Sequence, residues 1–157
     1  MYRENDLKIV SFLREDSRTS LTKMSKKTGI PVSTIFEKLN KRAGDIVQKN
    51  TCIIDFTKLG MHARANIAIK TFPGERDKLK EFLVRNRHVN SLQKINNGYD
   101  YMADVIFSNL KDLEEFCELL DERFKIRTKQ IYYVIEDIER EKFMSSPESL
   151  ALLEIPR

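Results

Sequence analysis

The chain has 157 residues, 41% of them hydrophobic, and a formal charge of +4. That is long enough for one medium domain or two small ones and too apolar for a disordered chain. The absence of any apolar run of membrane-spanning length, the charged start Met1–Asp6, and the wide separation of Cys52 and Cys117 point away from a membrane protein, a secreted disulfide scaffold and a cysteine metal site, so a cytoplasmic protein with reduced cysteines and no metal or cofactor is expected.

The first helix is expected from about Asp6 to Arg14 with Asn5 as its cap, burying Ile9, Val10, Phe12 and Leu13. Ser20 caps a second helix, Leu21 to Thr28, and Gly29 ends it as a left-handed residue. A third helix begins near Pro31, whose fixed φ suits a first turn, and runs to about Ala43 before Gly44. Its apolar positions Ile35, Phe36 and Leu39 predict an inner face, which leaves Ser33, Thr34, Glu37, Lys38 and Lys41 outward. Ile46 to Phe56 reads as extended, a short wing or linking hairpin, which makes residues 1–56 a winged helix-turn-helix.

Residues 57–62 read as a hinge, after which the period changes from 3.6 to 2 and residues 63–140 form a second domain. Ala65, Ile67, Ile69 and Thr71 share one face of a first strand that ends at Phe72-Pro73-Gly74. A helix over 75–87 follows, then a strand from Val89 to Ile95, the turn Asn96-Asn97-Gly98, and a strand in which Tyr101, Ala103, Val105 and Phe107 share a face. Asn109 caps a helix with Leu113, Phe116, Leu120 and Phe124 at helical spacing, and Ile126 to Glu136 is the last strand. The order βαββαβ predicts a ferredoxin-like α+β domain. Met102, Ile106, Tyr132 and Val134 fall on the face away from the helices, which favours a second copy packed there and hence a homodimer; a merely half-polar outer face is the alternative. Residues 141–157 form a tail with apolar Leu150, Leu152, Leu153 and Ile155.

Charge separates the two domains. Residues 1–55 hold 11 basic and 7 acidic side chains, whereas residues 56–157 hold 17 of each. Eight of the bases lie between 18 and 49, around the break Thr28-Gly29-Ile30-Pro31, and a basic helix-turn-helix suits double-stranded DNA because phosphates supply affinity and a helix fits the major groove. Ser33, Thr34, Lys38 and Lys41 are the candidates for the groove-facing side of the third helix. Lys23, Lys26, Lys27 and Arg42 are candidates for backbone contacts, and Arg18 for a phosphate ahead of the second helix. Gly98, Tyr99 and Asp100 are candidates for an effector site, since glycine permits close approach and a carboxylate accepts an ammonium group; the same residues also suit a plain hairpin turn stabilised by Asp100. His62 and His88 have no partner at catalytic spacing, so no enzyme is expected.

The order of parts resembles the leucine-responsive and asparagine-regulator (Lrp/AsnC, feast/famine) family. The strings that carry the resemblance are Asp6-Leu7-Lys8-Ile9, Asp16-Ser17-Arg18-Thr19-Ser20, Leu59-Gly60 and Gly98-Tyr99-Asp100-Tyr101, across about residues 3 to 137. The chain departs from that family's usual residues at Ser25, at Pro31 and over Ala43–Val47, and its turn glycine stands one place nearer Asp100. The resemblance implies a DNA-binding transcription regulator that dimerises through its second domain, called RAM, assembles further into octamers or chains, and in some relatives binds amino acids near the turn. The alternatives are a nucleoid-like DNA organiser of low sequence preference and an enzyme on the same scaffold, as in sirohaem decarboxylases.

Overall fold

The computed structural model describes residues 3–43 and 46–150, apart from the side chains of residues 42, 43 and 149. The chain divides into two units, one drawn from Met1–Ile53 and Ile138–Arg157 and the other spanning Ile54–Asp137.

In the first unit, α1 (Glu4–Glu15) starts two residues earlier than its sequence suggests, because Asp6 reaches back to accept the Arg3 backbone N–H at 2.9 Å. Asn5 therefore lies inside the first turn and is not the cap. α2 (Leu21–Thr28) begins where Ser20 Oγ accepts the Lys23 N–H at 3.2 Å and closes at Gly29, whose φ of 72° is open to glycine without strain. Pro31 caps α3 (Val32–Lys38) in an extended conformation, and the helix then loosens into a π-helical turn, Leu39–Ala43, over the stretch where a regular helix was expected. Ile9 and Phe12 from α1, Met24 from α2, Ile30 from the turn and Ile35 from α3 form the core, with Leu13, Leu21 and Leu39 packed around it. Residues 47–55 form neither helix nor strand, so the segment expected as a wing or hairpin pairs with no strand among the described residues. Beyond Ile138 the chain belongs to this unit again. Arg14 donates to Glu141 Oε2 at 2.8 Å, Glu141 O at 3.1 Å and Phe143 O at 3.2 Å, and a short terminal helix (Pro147–Leu150) packs on α1. The tail residues Leu152, Leu153 and Ile155 lie outside the described residues.

The second unit opens with a 3-10 turn, Phe56–Leu59, in which Asp55 accepts the Thr57 N–H at 3.1 Å and Gly60 takes φ 79°. It continues as β1 (Ala63–Thr71), α4 (Arg76–Arg85), β2 (Val89–Lys94), β3 (Tyr101–Phe107), α5 (Leu110–Arg123) and β4 (Ile126–Tyr133). The strands form one antiparallel sheet in the order β2-β3-β1-β4, the ferredoxin-like arrangement of the predicted βαββαβ unit. Alternation decides its faces: Ala65 opposes Val105 and Ile67 opposes Ala103, all buried toward the helices. Leu79 and Leu83 of α4 and Leu113, Phe116 and Leu120 of α5 cover them, with Phe82 set 5.3 Å from Phe124. The whole is an α+β protein with a helix-turn-helix unit followed by an antiparallel sheet domain.

Candidate nucleic-acid interface

The turn between α2 and α3 is only three residues, and each has a structural task. Gly29 supplies the left-handed step, Ile30 plugs the core, and Pro31 fixes φ at the start of α3. Thr28 tightens the corner by donating its hydroxyl to Met24 O at 2.7 Å and accepting the Ile30 N–H at 3.2 Å. The two helices are held in a fixed relation with their outer faces free for a ligand.

On those outer faces Lys23 and Lys26 of α2, Ser33 of α3 and Lys41 of the π-helical turn are exposed, as their spacing implied. Lys27 is exposed too, but its ammonium sits 5.5 Å from the centre of the Phe12 ring, which limits its reach. Arg18 is exposed in the loop before α2, where its backbone N–H donates to Asp16 Oδ1 at 2.9 Å. Thr34 is half-buried at the inner edge of α3, and the Arg42 side chain lies outside the described residues.

Lys38 faces inward. It was expected on the groove-facing side, yet its ammonium pairs with the carboxylate of Asp6, and the two side chains are 19% and 2% exposed. The reason is geometric: at 100° per residue Lys38 falls on the side of α3 that meets α1, where a buried carboxylate requires a cation. Phe36 is the converse. Adjacent to Ile35, it cannot share the inner face, and it stands 55% exposed with Val32 beside it one turn earlier. The sequence carried the signal, because Ile35 and Leu39 already complete the inner stripe at i and i+4. The outward arc of α3 is thus Val32, Ser33, Phe36 and Glu37, continued by Asn40, a mostly uncharged face flanked by the lysines of α2 and by Lys41.

In the second unit the Asn97-Gly98 turn has both residues at positive φ, 58° and 90°, as an Asn-Gly hairpin requires. Asp100 does not point into open space. Its buried carboxylate accepts the Thr71 N–H at 2.9 Å and the Thr71 hydroxyl at 3.2 Å, and pairs with Lys70 at 3.1 Å and Arg76 at 2.8 Å. Burial pushes the Asp100 carboxyl upward, but the Thr71 and Lys70 hydrogen bonds and the Arg76 charge outweigh it and hold the group below the ordinary carboxylate value. Gly98 is exposed and Tyr99 half-buried, so these two and Asp100 lie on one turn but present no free carboxylate.

The sheet face away from the helices is mixed. Arg64 clamps Asp104 at 2.8 and 3.2 Å and Asp137 at 2.9 Å, and Asn90 donates to Asp104 at 2.6 Å. Next to this network stand half-buried Met102 and exposed Tyr132, and the chain leaves β4 through Ile135, which is 93% exposed. His88 is a packing residue: its ring stacks on Phe107 at 4.2 Å and its Nδ1 meets Ile106 O at 2.9 Å, while His62 is exposed on a separate segment.

Residues 2–41 match the winged helix-turn-helix DNA-binding family. The HTH-type transcriptional regulator FL11 of Pyrococcus horikoshii is 30% identical over 118 residues, which cover 74% of this chain and 78% of that protein. An uncharacterised HTH-type transcriptional regulator of Pyrococcus furiosus is 32% identical over 127 residues, 80% of this chain and 84% of its own length. Among solved structures, an AsnC family transcriptional regulator from Agrobacterium tumefaciens shares the fold with a TM-score of 0.76 at 20% identity, covering 89% of this chain and 94% of that one. A transcriptional regulator from Neisseria meningitidis, solved as a complex with L-Met, gives a TM-score of 0.81 at 16% identity with the same coverage.

Proposed function

The chain belongs to the Lrp/AsnC family of transcriptional regulators with a helix-turn-helix DNA-binding domain, and from that premise we propose that it is a sequence-specific regulator acting as a homodimer. The observation that carries this reading is the pair α2 and α3, locked at Gly29–Pro31, with an exposed basic rim at Lys23, Lys26 and Lys41 and an exposed, mostly uncharged face on α3. Phosphates attract the rim without regard to sequence, and the α3 face enters the major groove. Two copies joined through the outer sheet face, around Met102, Tyr132 and Val134, would place two such helices on successive half-sites; octamers would be built from that dimer. The same reading has a small effector acting on the sheet domain near Gly98–Asp100; that a fold neighbour from Neisseria was solved as a complex with L-Met supports an amino acid as the class of effector, and the turn itself is the part of this reading to be tested. Because Asp100 is already held by Lys70, Arg76 and Thr71, its part is to order the turn, and the half-exposed Arg76 supplies the charge for an effector carboxylate.

The test is binding of the purified protein to the DNA upstream of its own gene, beside a scrambled duplex, at two salt concentrations, with and without a pool of amino acids, and its mass by light scattering. A preference of about 10³ or more for the upstream DNA and a dimeric or larger mass are expected. Equal, steeply salt-dependent binding to both duplexes would make the protein an organiser of low specificity, and no binding at either salt would remove the DNA reading.

A further inference from the structure

We infer that Phe36 reads thymine methyl groups in the major groove, so that the sequence preference of this protein is set by an apolar contact at the centre of α3. The inference rests on the DNA-binding reading above and goes beyond it by naming the chemical group recognised.

Three observations carry it. Phe36 is a large aromatic side chain, 55% exposed, and the core of its unit is complete without it. It lies on the outward arc, between Val32 on one side and Ser33 and Glu37 on the other, halfway along the helix that a major groove would receive. The basic side chains that would bring a duplex to this face are exposed on α2 and at Lys41, so the occupant that fits is a polyanion with apolar groups on its edge. In the major groove only thymine offers an apolar group, its C5 methyl, and an aromatic side chain is among the partners that contact it. The other common reading of a base by this helix is closed off. Lys38, the one lysine within α3, is turned away to Asp6, so no cation of the regular helix is left for the guanine edge.

The experiment uses the full-length protein. Preferred duplexes are selected from a random pool, and each thymine in the selected site is then replaced singly by deoxyuridine, which removes the methyl and leaves the base pairing intact. Wild type should weaken about four-fold at one position per half-site, the factor for keeping one methyl-sized group out of water. Phe36→Ala should bind thymine and deoxyuridine duplexes equally, while Phe36→Leu, which keeps an apolar group, should retain the discrimination. Wild type indifferent to deoxyuridine at every position of a selected site would overturn the inference and leave the regulator reading standing. Discrimination that survives in Phe36→Ala, or a Phe36→Ala variant changed only in self-association, would overturn it equally. A pool that yields no preferred sequence would overturn both readings together.

Discussion

Replacing Lys38 by alanine separates two roles that the sequence alone could not. If Lys38 were a phosphate contact, its loss would weaken DNA binding across all sequences and reduce the dependence of log K on log salt by about one. In the structure it instead neutralises Asp6, whose side chain is 2% exposed on the α1 side of the interface with α3. Removing one partner of a buried ion pair costs about 3–5 kcal/mol because the remaining charge loses part of its compensation in a poor solvent. Lys38 keeps 19% exposure and the Arg3 N–H still donates to Asp6, so the lower end, about 3 kcal/mol, is the expected loss. Amide hydrogen exchange of α1 and α3 reports that unit separately from the sheet domain and should accelerate by about two orders of magnitude. The salt slope of DNA binding, measured where the variant is still folded, should not change. Asp6→Leu with Lys38→Met removes both charges and should recover most of the stability, since an apolar pair of similar volume replaces an ion pair without loss in comparable interiors. A Lys38→Ala variant within about 0.5 kcal/mol of wild type, the range of an ordinary surface substitution, and with a salt slope smaller by one would refute the reasoning.

Asp100 makes the sheet domain acid-sensitive. Its carboxyl is held below the ordinary value in the fold, so its stabilisation is complete above the unfolded value of about 4 and is lost as pH falls through the folded value; an acid titration followed by circular dichroism should show this loss, and Asp100→Asn should remove that part of the pH dependence. The two thiols should differ sharply in reactivity. Burial pushes Cys117 up to about 11, while Cys52 is exposed, so a thiol reagent at pH 8 should modify one cysteine per native chain, and Cys52→Ser should abolish the reaction. For the proposed dimer, Tyr132→Asp puts a charge on a side chain that is 53% exposed on the outer sheet face, so the expected result is a monomeric mass with an unchanged circular dichroism spectrum; an unchanged mass would place the dimer contact elsewhere.

What could be read from the sequence was what depends on neighbours along the chain. Ser20 and Gly29 fix α2 because a cap and a left-handed stop act within one turn, and the alternation Ala65, Ile67, Ile69 fixes the buried face of β1 because the period is set by the strand itself. What escaped depends on partners remote in sequence. Lys38 meets Asp6 from 32 positions away, Arg14 meets Glu141 from 127, and Asp100 meets Lys70 from 30. Each of these carries a charge, and a charge read without its partner looks like a solvated or ligand-binding group. That is why Lys38 reads as a DNA contact, why the sequence leaves Asp100 open between an effector site and a hairpin turn, and why it does not identify Arg14 as the partner of Glu141. Phe36 failed for the opposite reason: an apolar residue was assigned to the core because it was apolar, although the helical angle between it and Ile35 argued against it.

The placement of charge has a consequence for how the proposed regulator would divide its work. With Lys38 committed to Asp6, the exposed cations of the helix-turn-helix among the described residues stand on α2, in the loop at Arg18 and at Lys41, while α3 itself is otherwise uncharged apart from Glu37. Contacts to phosphate and contacts to base edges then come from different helices. Attraction to phosphate is indifferent to sequence and screened by salt, whereas apolar and hydroxyl contacts to bases are sequence-dependent and nearly insensitive to it. Substitutions at Lys23 and Lys26 should therefore change the salt slope and leave the ranking of sequences intact, and substitutions at Ser33 and Phe36 should change the ranking and leave the slope intact. A single set of binding curves at several salt concentrations distinguishes the two, and crossed effects would mean that the helices do not share the task in this way.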